Sequence, residues 1–232
     1  MTKILAFFTV PIVPFSFFTE YFFENCKSCR NFFFPSLVLL GLFFAGVGIE
    51  KVGVWVYLLA IITSIIYTYK LFRVSNYEEW LLTYYIATVS IAWLHPEKMI
   101  FFITAFAIPL TVIHFLLYHL KKQGATLEFE ALKGVGSYLS SLSTLLFLAL
   151  ISALVVAPAY AFFLLYGVIK ENILVAPILI ALWVVWNWIG FKLFSQVFFG
   201  EPKEGTHYND IDSTEAFPLT FLLVATFILP LL

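Results

Sequence analysis

The chain has 232 residues, of which 62% are hydrophobic and 12% charged, and its mean hydropathy is +0.98. Soluble globular domains are nearer half apolar and a quarter charged, so this composition excludes a soluble enzyme and a nucleic-acid-binding domain. Thirteen basic and fourteen acidic residues leave a net charge of −1, so overall charge selects no partner. The composition predicts a polytopic integral membrane protein, which we expect in a prokaryotic cytoplasmic membrane, surrounded by the lipid bilayer.

The N-terminal residues resemble a signal peptide but depart from its pattern. An apolar run follows Lys3, yet Pro11 and Pro14 interrupt it and no small-residue cleavage site follows. We therefore expect a retained first helix that is kinked by proline. Cys26 and Cys29, the only cysteines, cannot supply the four ligands of a structural zinc site. We expect two loop thiols, with a disulfide as the alternative.

The apolar residues fall into stretches that fit membrane helices. A helix needs about 20 apolar residues to cross a bilayer core of about 30 Å. Eight stretches meet or approach that length, at 4–23, 32–49, 52–72, 80–94, 99–120, 138–168, 173–199 and 217–232. The stretch 80–94 is short and is expected to be tilted or broken, while 138–168 is too long for one crossing and contains Pro158. The pattern predicts an all-α polytopic transmembrane bundle of about eight, that is eight or nine, helices.

Basic residues predict the orientation of these helices. With eight crossings, the loops after odd-numbered stretches and the nearby helix ends hold nine basic residues, against four on the other side. Cytoplasmic loops are enriched in Lys and Arg, so the odd loops are expected in the cytoplasm and both termini outside. A ninth crossing would move the C-terminal end to the other side.

No catalytic motif is present, so we expect no catalytic residue, cofactor or metal of the chain's own. Ionisable residues within or beside apolar runs are informative because burying them in lipid is costly. His95, Glu97 and Lys98 separate two apolar runs, either as a proton-relay cluster at a broken helix or as an interfacial turn. Glu50 and Lys51 form either a short loop, which we favour, or an ion pair in the membrane.

Two further ionisable residues lie inside apolar runs. His114 is expected either to carry protons or to pack, hydrogen-bonded to a neighbouring helix. Lys192 either extends to the lipid head groups or points into the bundle.

Four stretches resemble the antiporter-like, proton-conducting membrane subunits of respiratory complex I, Mrp antiporters and membrane-bound hydrogenases. The best is Trp186–Lys203, in which Lys192 stands eight positions before the glycine of a Phe-Phe-Gly-Glu-Pro exit. The others are Gly124–Gly134, the stretch Leu146–Tyr166 around Pro158, and Tyr77–Tyr85, and all four follow the family's order. The resemblance implies that residues 51–232 form a bundle like the family's second helical repeat, whereas residues 1–50 form N-terminal helices that it does not reach.

The same resemblance implies an altered proton path. Glu79 stands where the family has a lysine, Leu165 stands at the position of the broken-helix lysine, and His114 has no interior lysine on its helix. The remaining relay candidates are Glu79, His95, Glu97, Lys98, His114 and Lys192.

Three hypotheses of function follow. The first is a non-catalytic membrane subunit whose partners are other membrane subunits of a complex-I-like or antiporter-like assembly. The second is an active proton- or cation-translocating half-subunit with a re-routed relay. The third is an independent small transporter, suggested by the prolines within helical runs.

Overall fold

The computed structural model describes residues 2–26, 30–47, 52–201 and 208–229. It is 78% helix, and no strand occurs in the described ranges, so the all-α prediction is confirmed. Cys26 is disulfide-bonded, which contradicts the expected pair of thiols. Cys29, Glu50 and Lys51 lie outside the described residues.

The described residues form ten α-helices. The first five are α1 Thr2–Thr9, α2 Phe15–Asn25, α3 Arg30–Gly46, α4 Val54–Leu71 and α5 Tyr77–Val89. The next five are α6 Met99–Lys122, α7 Ser140–Ala153, α8 Tyr160–Glu171, α9 Ala176–Phe199 and α10 Ser213–Ile228. Short 3-10 helices occupy Ser90–Leu94, Pro96–Lys98 and Val135–Ser137.

Within the described ranges, three helical segments are long and apolar enough to cross a membrane. They are Val54–Leu71, Pro96–Lys122 and Ala176–Phe199, and they coincide with three of the eight predicted stretches. Asn31–Gly46, Ser140–Ala153 and Ser213–Ile228 are apolar but shorter. The stretch 4–23, for which the sequence predicts one proline-kinked helix, is two helices, α1 and α2, and the stretch 138–168 is divided into α7 and α8.

Helix α5 lies at the centre of the bundle. Every residue from Trp80 to His95 is buried, which includes the 3-10 segment that follows α5. The helix has no polar face because it packs against α4 on one side and α6 on another. Its aromatic side chains, among them Trp80, Tyr84 and Tyr85, are completely buried.

Polar contacts join the helix ends at two opposite ends of the bundle. At the first, which we call the Lys121 end, the Lys121 ammonium pairs with Glu78 of α5 and lies 3.1 Å from the Asn31 side chain of α3. At the second, the His95 end, Lys98 before α6 pairs with Glu171 at the close of α8 at 2.9 Å. The central helix α5 runs from the first end to the second.

Candidate functional site

Helices α1 and α2 are separated by a break that lies inside the bundle. Pro14 has no N–H, so the carbonyl of Val10 loses the donor that a continuous helix would provide. The indole N–H of Trp93 donates to that carbonyl at 2.9 Å. The backbone N–H of Val13 donates to the Thr63 hydroxyl at 2.8 Å. These groups of the break are therefore satisfied by side chains from other segments.

Helices α7 and α8 are separated by a second break, which is bonded in the same way. The Tyr84 hydroxyl donates to the carbonyl of Ala153, the last residue of α7, at 2.8 Å. The indole N–H of Trp183 donates to the carbonyl of Val155 at 3.2 Å. A hydroxyl pair at 2.9 Å, Ser152 with Thr226, ties α7 to α10 just before this break.

Adjacent tyrosines of α5 bind the two breaks. Tyr84 reaches the second break, and the Tyr85 hydroxyl donates to the carbonyl of Thr9 at the first break at 3.3 Å. Consecutive residues of a helix point in directions about 100° apart, so one turn of α5 can contact both discontinuous helices. The central helix thus holds both breaks with buried aromatic side chains.

His114 makes a packing hydrogen bond of the same kind. Pro35 lies inside α3, so the carbonyl of Asn31, four residues earlier, has no helical donor. The Nε2–H of His114 donates to that carbonyl at 2.9 Å. The imidazole also contacts the Phe34 ring, with 5.8 Å between ring centres. This geometry is the one expected if His114 joins α6 to α3.

Three predicted site residues, His95, Glu97 and Lys98, lie together at one end of the bundle. His95 Nδ1 lies 3.1 Å from a carboxylate oxygen of Glu97 and 3.1 Å from one of Glu171, which Lys98 also binds. The Asn172 amide donates to His95 Nε2 at 2.8 Å, so Nδ1 carries the proton. We call these five residues the His95 cluster.

Sequence reasoning missed Glu171 and Asn172 because they lie more than 70 positions from His95. The available signal was a short charged and amide-bearing stretch between two apolar runs, at Lys170–Asn172.

Glu79 lies at the opposite end of the bundle from the His95 cluster. It lines a small cavity of about 160 Å³ with Glu20, Glu24, Lys70 and Arg73. Within this group the Lys70 ammonium pairs with the Glu20 carboxylate. The cavity is therefore a mixed-charge pocket between α2, α4 and α5, which the sequence alone did not bring together.

Lys192 lies on the exposed surface of α9. Its ammonium stands 5.5 Å from the centre of the Trp188 ring, one turn earlier on the same helix. A cation over an indole face is stabilised by the quadrupole of the ring. Lys192 therefore lies outside both the His95 cluster and the pocket of Glu79.

A larger opening, missed by sequence reasoning, lies between the end of α6 and the start of α10. We call this cavity of about 1200 Å³ the His119 cleft. At its polar end His119 Nε2 lies 2.8 Å from the Gln123 amide nitrogen and 3.3 Å from the Asn209 carbonyl oxygen, and His119 Nδ1 lies 3.3 Å from the Glu215 carboxylate. The wall away from this end is apolar and includes Phe115, Leu219 and Leu222.

Asp210 fixes one rim of the His119 cleft. Its carboxylate accepts the backbone N–H groups of Ser141 and Leu142, both at 2.9 Å, and that of Ile211 at 2.8 Å. Burial by itself would raise the pKa of Asp210, but these three donors outweigh it and hold the pKa below its ordinary value. Asp210 therefore caps the first turn of α7 from the loop before α10.

These positions show which predicted relay residues the fold brings together. His95, Glu97 and Lys98 meet, whereas His114 and Glu79 are near the Lys121 end and Lys192 is on the outer surface. About 22 Å of helix separates Met99 from His114. Among the described residues, the core between the two ends is filled by apolar and aromatic side chains together with buried hydroxyls, for example Thr63, Ser64, Thr88 and Ser90.

The described structure is thus all-helical, with three helices long enough to cross a membrane and two discontinuous helices held by a central one. No family model matches the chain. The chain is 62% identical, over all 232 residues and the whole length of both chains, to an uncharacterized protein of Aquifex aeolicus (strain VF5). It belongs to the same family as that Aquifex aeolicus protein.

Proposed function

We propose that the protein is an integral membrane protein with eight crossings. Helices α3, α4, α6, α9 and α10 are each one crossing, α5 with Ser90–Leu94 is another, and the paired helices α1–α2 and α7–α8 are one each. This alternation agrees with the polar contacts, which place the starts of α3, α5, α7 and α10 and the ends of α6 and α9 at the Lys121 end. The basic residues at the Lys121 end favour an orientation in which this end faces the cytoplasm.

The outer surface supports insertion in a bilayer. Large apolar side chains are widely exposed on several helices, for example Trp55 at 78%, Phe217 at 74% and Phe221 at 70%. A soluble monomer rarely exposes extended apolar patches of this kind. Lipid is a favourable neighbour for these side chains, and the broken helices remain away from it because their backbone groups are bonded inside the bundle.

We propose further that the protein is a non-catalytic subunit of a larger ion-translocating or redox membrane assembly. One observation supports the absence of a proton path: apart from Lys192 on the outer surface, the ionisable candidates occupy opposite ends of the bundle. Tyr84 and Tyr85 in the core between these ends are bonded to backbone carbonyls. A tyrosine whose hydroxyl binds a carbonyl is fixed in place rather than available as a carrier. The resemblance of residues 51–232 to antiporter-like subunits supports membership of the protein in such an assembly.

Native purification through a tag on the full chain tests this function. In a mild detergent we expect other membrane subunits at fixed stoichiometry, identified by mass spectrometry, and no proton flux when the chain alone is placed in liposomes. Recovery of the chain alone, or only as a homo-oligomer, would contradict the subunit function. A carbonate wash that releases the chain from membranes would contradict the eight crossings.

The His95 cluster favours a second candidate, an active half-subunit with a re-routed relay. An imidazole between two carboxylates and a lysine is a group that can exchange protons. This candidate predicts that His95→Ala and His114→Ala lower proton or sodium flux through the native assembly without lowering its yield. Unchanged flux in both variants would contradict the re-routed relay. Lys192→Ala, which changes a residue on the outer surface, serves as the control.

A further inference from the structure

The His119 cleft changes from polar to apolar in the same direction along both of its helices. On α6, Lys122 and His119 are at the end of the helix and Phe115 is about one turn deeper. On α10, Glu215 is in the first turn and Leu219 and Leu222 follow in the next turns. The cleft therefore has charged groups at the Lys121 end and an apolar wall deeper in the bundle, toward the His95 end.

The charges in the cleft divide into bonded and unbonded groups. Asp210 accepts three backbone N–H groups, and Glu215 faces His119. In the part of the chain that the structure describes, Lys122 contacts the Tyr118 ring at 4.9 Å but has no ion pair. Asp212 precedes α10 without capping it through its side chain. Within the described ranges, one cation and one anion of the cleft, Lys122 and Asp212, thus have no charged partner.

We propose that the His119 cleft binds a zwitterionic aminophospholipid, with its phosphate at Lys122, its ammonium at Asp212 and Glu215, and its acyl chains along Phe115 and Leu222. The ligand's phosphate and ammonium match Lys122 and Asp212, which have no charged partner among the residues that the structure describes. The acyl chains cover the apolar wall, and Phe115 is 45% and Leu222 38% exposed without them. The cavity of about 1200 Å³ exceeds the range typical of small-ligand sites.

This inference rests on the proposed membrane insertion, which would give bilayer lipid access to the cleft. The head group is expected to carry an amine, because a phosphodiester lipid without an amine would bring its negative charge close to the carboxylates of Asp212 and Glu215. Like charges brought close together in a partly buried site reduce affinity.

Native mass spectrometry of the delipidated full chain in detergent tests the proposal. We expect one phosphatidylethanolamine to be retained about fivefold or more above phosphatidylglycerol, and Lys122→Ala or Asp212→Asn to lower that retention about fivefold. Lys133→Ala and Glu130→Gln change matched charges on exposed residues outside the cleft and are expected to have no effect. The melting temperature of each variant shows that it is folded.

Three results would overturn the proposal. Equal retention of the two lipids, or equal retention by wild type and both cleft variants, would mean unspecific lipid contact. Full competition by phosphoethanolamine alone would assign the cleft to a soluble aminophosphate. The mass-spectrometric measurement uses the isolated chain, whereas the subunit function is tested by recovery of partners. A negative lipid result therefore does not contradict the subunit function, and a failure to recover partners does not prevent the lipid measurement.

Discussion

At the scale of single residues, ring N–H groups of other helices replace the backbone donors that prolines remove. Trp93 donates to the carbonyl that Pro14 leaves without a helical partner, and His114 donates to the one that Pro35 leaves. A buried carbonyl without a donor costs about 1–3 kcal/mol, so each ring stabilises the fold through one specific acceptor. The proline and the ring are far apart in sequence and are related only by this bond.

A double-mutant cycle between His114 and Pro35 tests this relation. His114→Ala is expected to lower the free energy of unfolding by about 1–3 kcal/mol, because the Asn31 carbonyl loses its donor. In a Pro35→Ala background the helix supplies its own N–H, so the same change is expected to cost about 1 kcal/mol less. Denaturation in detergent measures all four proteins. Additive effects would show that His114 does not serve the acceptor freed by Pro35.

The Asp210 cap leads to a pH-dependent prediction. Asp210→Asn is expected to lower stability at neutral pH by about 1–2 kcal/mol, because the amide offers one acceptor oxygen and no charge at the start of α7. The folded pKa is lowered, so the contribution is complete above the ordinary aspartate value of about 3.9 and is lost as the pH falls through the folded pKa.

Melting temperatures of wild type and Asp210→Asn are therefore expected to differ at neutral pH and to converge as the pH falls from about 5 to about 2. Asp212→Asn is the matched control, since the Asp212 side chain caps no helix. A gap that stays constant through this range would contradict the assignment of the cap.

At the scale of elements, the two discontinuous helices depend on α5. Each break leaves backbone carbonyls buried inside the protein, and one turn of α5 supplies a hydroxyl to each break. The breaks are thus closed by tertiary contacts rather than by their own sequence. This arrangement argues against an open substrate site at the breaks, which the small-transporter hypothesis would need.

Removing the two hydroxyls tests the dependence of the breaks on α5. Tyr84→Phe and Tyr85→Phe are each expected to lower the free energy of unfolding by about 1–3 kcal/mol, since the ring volume is kept and one buried bond is lost. Tyr166→Phe, at a position that is 59% exposed, is the control with no expected effect. Thermal unfolding in detergent provides the comparison, and equal melting temperatures for all four proteins would show that the hydroxyls are not needed.

At the scale of the whole molecule, the proposed eight crossings predict that the Lys121 end and the His95 end lie on opposite sides of the membrane. In a Cys26→Ser/Cys29→Ser background, Ile173→Cys near the His95 end is expected to react with an impermeant maleimide in intact cells. Thr126→Cys at the Lys121 end is expected to react only after permeabilisation. Both positions are exposed, so access to the reagent depends on the side of the membrane. Labelling of both from the same side would rule out this topology.

Composition and the lengths of the apolar runs were enough to predict an all-helical chain, the approximate position of the long helices, a kink at Pro11 and Pro14 and an interruption at Pro158. These features are local, because propensity, hydropathy and the missing proline N–H act within a few residues. They left the disulfide at Cys26 as the less favoured alternative, and they could not reveal the partners Glu171 and Asn172 of His95 or the His119 cleft. The tertiary structure decided those, because a hydrogen bond or a cleft depends on which helix ends meet in space, and packing brings together residues more than 70 positions apart.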